Sequence, residues 1–104
     1  MYRVPNTNTR GNAFSELEIQ RVWNKAPTAG GYDPAEVRFD SCGAFIRRDQ
    51  YGNTNSQFGW EIDHMFPASK GGSDELTNLQ PLQWQNNRHK GDQWPYWSCA
   101  VKAA

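Results

Sequence analysis

Between residues 15 and 26 the apolar positions Leu17, Ile19, Val22, Trp23 and Ala26 recur at a spacing that winds a stripe onto one side of an α-helix. Ser15 followed by Glu18 gives the start of this segment a capping box, and Pro27 stops it, so a helix is predicted over 15–26. "VRFDSCGAFIRR", residues 37–48, reads as extended structure broken at Cys42-Gly43, which is a hairpin pattern. "WEIDHMF", residues 60–66, alternates as a strand does: Trp60, Ile62 and His64 fall on one face, and Glu61, Asp63 and Met65 on the other. Then come a turn-rich loop "PASKGGSDEL", a short strand or bend "NLQPL", and a short helix "QWQNNRHK" ended near Gly91. The polar first dozen residues are expected to fray. The tail "WPYWSCAVKAA" has no clear place in this order, and its Trp94, Tyr96 and Trp97 are read as core or lid packing rather than a base-stacking platform.

A chain of 104 residues supports one modest core. The expected organisation is a single domain over 1–104: an N-terminal helical extension 1–36, a central core 37–92 and an aromatic tail 93–104. Its apolar runs all fall well short of the roughly 20 residues a membrane span needs, so no membrane partner is expected. The start, "MYRVPNTNTRGN", carries no secretory pattern, which makes the cytoplasm the expected location. Eleven basic and eleven acidic side chains cancel, so a polyanionic partner would have to be held by local charge or a bound cation. In a reducing compartment Cys42 and Cys99 are expected as thiols rather than as a disulfide, with Cys42 a small buried residue.

The second half places ligand-type residues at each junction: Asp63-His64 at the end of a strand, Asn78 at the head of the next, and Asn86, Asn87, His89 and Lys90 on the short helix. Between Glu61 and Lys90 this order resembles the HNH endonucleases, whose ββα-metal motif runs Asp-His, a GG-containing loop, Asn-Leu-x-x-Leu and a helix carrying the last ligand. The resemblance implies an α+β fold: a small single domain with a ββα-metal core, an N-terminal helix and a preceding β-hairpin. In that family the last ligand follows the central Asn by nine positions and precedes a basic residue by three, which selects Asn87, an H-N-N variant. At about 100° per residue His89 points roughly 200° away from Asn87 around the helix. Family members often carry two Cys-x-x-Cys pairs for a structural zinc. Here Phe45 stands where a partner for Cys42 would be expected, and Gln83 and Asn86 occupy the later pair, so no structural zinc is expected.

The implied activity is metal-dependent hydrolysis of DNA phosphodiester bonds with low sequence specificity. His64 is the expected general base, since a neutral imidazole can take a proton from water at neutral pH. Asp63 and the Asn87 side-chain oxygen are expected ligands of one divalent cation, Mg²⁺ or Mn²⁺, both being hard oxygen donors. Asn78 is implied to constrain the loop and help hold the His64 backbone and ring. Lys90, Arg88, Lys70 and His89 are the expected contacts to the backbone of double-stranded DNA, and Trp84 with Arg88 a cation–π pair. Whether two copies pair is left open. The competing reading is a nucleic-acid-binding module that keeps the scaffold without cleaving.

Overall fold

The computed structural model describes residues 3–102 and builds an α+β domain of two helices and two small antiparallel sheets. Helix α1 spans Glu16–Trp23, and both halves of the capping box form: Ser15 Oγ accepts from Glu18 N at 3.2 Å, and Glu18 Oε1 accepts from Ser15 N at 2.9 Å. It ends three residues short of the predicted 26. Lys25 N and Ala26 N bond back to Val22 O and Trp23 O, tightening the last turn before Pro27. Ile19, Val22, Trp23 and Ala26 are buried, but Leu17 is exposed and leaves the stripe.

Strands β1 (Val37–Phe39) and β2 (Phe45–Arg47) pair as the predicted hairpin. The second sheet pairs β3 (Trp60–His64) with β4 (Leu79–Gln83), Asp63 opposite Gln80 and His64 opposite Leu79. Helix α2 (Trp84–Lys90) follows β4 directly, with Gln83 Oε1 accepting from the Gln85 and Asn86 amides as its N-terminal cap.

The two faces of β3 meet different partners. Trp60 and Ile62 enter the apolar core with Phe14, Ile19, Val22, Trp23, Ile46 and Leu79, and the Trp23 and Trp60 rings lie 5.3 Å apart. Glu61 and Asp63 point the other way, under α2, which answers them with Asn87, Arg88 and Lys90. All five β3 residues are therefore buried, and the acids are matched by polar groups rather than by solvent.

Both termini depart from expectation. The described part of the first dozen residues is tied across the sheet: Asn6, at φ 60°, accepts from Ile62 N and from the Tyr51 hydroxyl through Oδ1. At the other end Cys42 and Cys99 form a disulfide, and neither is the buried free thiol expected. The cause lies in Asn86, whose side chain binds the backbone of Ala100 and Val101 and brings the tail back over the β1–β2 turn. Such bonds persist in oxidising surroundings, so free thiols no longer support a cytoplasmic location. The aromatic tail is not core: Tyr96 is 88% exposed, and Trp94 is half exposed with its ring edge against Phe66. Among the described residues no helix is long and apolar enough to cross a membrane.

Candidate active site

The site begins where β3 runs out. After His64 the chain turns through residues 65–78, and Asn78 holds that turn closed: its Oδ1 accepts from Phe66 N at 2.8 Å, and its Nδ2 donates to Phe66 O and Ser73 O. Gly72 is needed there because a Cβ would sit 1.8 Å from Phe66 O, and Gly71 adopts φ 100°. The folded loop carries Asp74 back to the imidazole, with His64 Nε2 and Asp74 Oδ1 2.7 Å apart. Asp74 is held in turn by Thr9, through its backbone N–H and its hydroxyl. Partial burial works against ionisation of Asp74, but the bonds from His64 and Thr9 outweigh it and leave the carboxyl below its ordinary value.

On the opposite face Asp63 lies under α2. Lys90 Nζ is 3.2 Å from its Oδ1 and also donates to the His64 carbonyl, while Gln80 Nε2 donates to Oδ2 at 2.9 Å. Burial nevertheless raises the Asp63 carboxyl above the ordinary value, with the Gln80 and Lys90 contacts pulling the other way. One turn back along α2, Asn87 Nδ2 donates to Glu61 Oε1 at 2.9 Å, and Arg88 forks onto both oxygens of the same carboxylate. Glu61 thus orients Asn87 with its amide nitrogen turned to the protein.

Asp63, His64, Asn87 and Arg88 line one cleft of ≈ 400 Å³, closed on another side by Arg3, Val4, Pro5 and Asn6. Strand neighbours 63 and 64 point to opposite faces, yet both reach this cleft because the strand ends there. Among the described residues no group bonds His64 Nδ1 or Asn87 Oδ1, and Trp60 Nε1 is the only side-chain polar atom both buried and unpartnered. The two free atoms are therefore open to solvent. A carboxylate and an amide oxygen on one wall form a donor set that suits a hard cation, with room for water and phosphate oxygens.

The remaining expected residues spread out. Lys90 is only 1% exposed, so it is the internal counter-ion of Asp63 and not a surface contact to phosphate; the charge of Asp63 draws it inward. Arg88 is engaged with Glu61, its side chain 43% exposed at the cleft edge. Trp84 donates its indole N–H to Ser56 O. Lys70 and His89 are exposed and outside the cleft, and His89 Nε2 lies 3.2 Å from Ser98 Oγ. Asn78 holds the backbone beyond His64, whereas the ring itself is held by Asp74. Sequence reasoning passed over Glu61, Asp74 and Asn6. Glu61 stands two positions before Asp63 on the same strand face, and that alternation could have disclosed it.

At the other end of α2, Gln83 and Asn86 occupy the positions where the family's later cysteine pair would stand. Both turn to Asp40, which is 2% exposed: its Oδ2 accepts from Gln83 N and Asn86 Nδ2, and its Oδ1 from Cys42 N and Ala44 N, each at 2.9 Å.

Two antiparallel strands joined by a long loop and followed by a helix, with Asp and His at the end of the first strand and Asn on the helix, make the ββα arrangement expected from the spacing. The family model described as HNH endonuclease matches residues 47–96, a segment that contains β3, β4 and α2. This part of the chain is thus similar to the HNH endonucleases, whose members act on nucleic acids. No curated protein and no solved structure matches the chain.

Proposed function

We propose that the protein is a metal-dependent endonuclease that hydrolyses DNA phosphodiester bonds at the cleft between β3 and α2. One observation carries this reading: a single cleft brings together the Asp63 carboxylate, an unbonded Asn87 oxygen and an unbonded imidazole nitrogen of His64. His64 Nδ1 takes the proton of the water that attacks phosphorus. Asp63 and Asn87 would hold Mg²⁺ or Mn²⁺, which when bound supplies positive charge at the phosphate. Lys90 works behind them, holding the Asp63 carboxylate and the His64 carbonyl in place. Arg3 and Arg88 at the cleft wall are placed for neighbouring phosphates.

Plasmid nicking in Mn²⁺ tests the reading. Wild type should relax supercoiled DNA and lose this activity in EDTA, and His64→Ala should be slower by about 10²- to 10⁴-fold with its melting temperature kept. Undiminished nicking by His64→Ala would remove the imidazole from its role. DNA binding without turnover in any divalent cation would favour a non-catalytic binding module.

A further inference from the structure

The general base candidate is held from behind by a carboxylate that the reading above does not use. We propose that Asp74, latched by Thr9 of the N-terminal segment, is the positioning residue that fixes the tautomer and orientation of His64 for hydrolysis. The inference rests on the nuclease reading and extends it to a residue outside the cleft lining.

The geometry carries the argument. An ionised carboxylate only accepts hydrogen bonds, so the 2.7 Å contact requires the proton of a neutral His64 ring to sit on Nε2. The lone pair then falls on Nδ1, the nitrogen without a partner among the described residues, and that atom can receive a proton from water. With the opposite tautomer Nδ1 would carry a hydrogen and the base would be blocked. Asp74 itself cannot swing away: Thr9 N lies 3.1 Å from both of its oxygens and Thr9 Oγ1 2.7 Å from Oδ2. Thr9 comes from 65 residues away, on a stretch pinned at Asn6 to β3 and at Asn8 by turns to Gly11 and Asn12. The ring is further confined by Phe14, whose centroid is 6.1 Å away. An acid so placed contributes to rate by holding the ring in one tautomer and one orientation and by stabilising the imidazolium that forms when Nδ1 takes its proton.

The test joins ring ¹⁵N NMR of the full chain to steady-state nicking kinetics. The chain has two histidines, so His89→Gln assigns the signals. Wild-type His64 should show the Nε2–H tautomer at neutral pH. Asp74→Asn keeps the shape, and the Thr9 N–H and hydroxyl hold the new amide's oxygen on their side, so its nitrogen turns toward His64 Nε2; it should mix the tautomers and lower kcat by about 10- to 100-fold with KM unchanged. Thr9→Val, which removes the hydroxyl bond to Oδ2 but leaves the backbone N–H and the His64 contact, should retain the tautomer and lose less rate than Asp74→Asn. A wild-type ring protonated on Nδ1, a tautomer unmoved in Asp74→Asn, or full kcat despite mixed tautomers would each overturn the proposal. Failure of the nuclease reading would look different: wild type and Asp74→Asn would be equally inactive while their ring tautomers still differed.

Discussion

The two ends of α2 are both polar and both buried, yet they are built to opposite ends. At the N-terminal end every hydrogen-bonding position of Asn86 is used: Nδ2 donates to Asp40 and Val101, and Oδ1 accepts from Ala100 and Val101. Gln83 is as fully engaged, with Gln57, Gln85 and Asn86 as partners. One residue beyond Asn86, Asn87 spends its nitrogen on Glu61 and presents a bare oxygen to the cleft. Next to it His64 has one nitrogen tied and one free. A closed polar cluster joins parts of the fold, whereas an open one has capacity left for a ligand, and this difference separates structural from functional polar burial here.

Asp40→Ala should have the larger effect on stability. It leaves the N–H donors of Ala44, Gln83 and Asn86 without their acceptor in the interior, at a cost of about 4 kcal/mol in total. For a domain of this size that lowers the melting temperature by roughly 20 °C. Whatever remains folded should nick DNA normally, and a stable but inactive Asp40→Ala would blur the division between the two ends. Lys90→Met should cost less, about 3 kcal/mol, by leaving Asp63 buried without its counter-ion. The sign of its pH dependence follows from Asp63. A carboxyl raised above its ordinary value binds its proton more readily in the folded chain, so stability declines as pH rises from the ordinary value through the raised one. Removing Lys90 raises that carboxyl further, so the deficit of Lys90→Met should shrink on acidification, as denaturant melts at several pH values would show. A loss of DNA affinity with unchanged stability would instead return Lys90 to the surface role first expected of it.

Much of the nuclease half was legible because its signals are local. Helix α1 announced itself through Ser15, Glu18 and a helical stripe, the β1–β2 hairpin through its break at Cys42-Gly43, and β3, β4 and α2 through the spacing from Glu61 to Lys90. What stayed hidden depends on partners distant in sequence. Lys90 reads as a contact to phosphate until β3 puts Asp63 beside it, 27 positions earlier. Asp74 looks like one more acid in a polar loop, and only the closure of that loop by Asn78 brings it to His64. The N-terminal segment lacks an apolar pattern because it is held by side-chain-to-backbone bonds such as Asn6 to Ile62, which leave no periodicity. The disulfide is hidden for another reason: two cysteines 57 positions apart read as thiols in a reducing compartment, and the tail's anchor on Asn86 has no signature in the order of residues.

The central claim, that the open end of α2 is a cation site and the closed end is not, is tested most directly by titrating Mn²⁺ into the ¹⁵N-labelled protein and following paramagnetic broadening. The Asn87 side-chain amide and the backbone amides of Asp63 and His64 should broaden first, with the side-chain amides of Asn86 and Gln83 persisting, and Asn87→Ala should weaken the effect. Broadening centred on His89 or on the Asp40 and Asn86 cluster, or none at all, would contradict it.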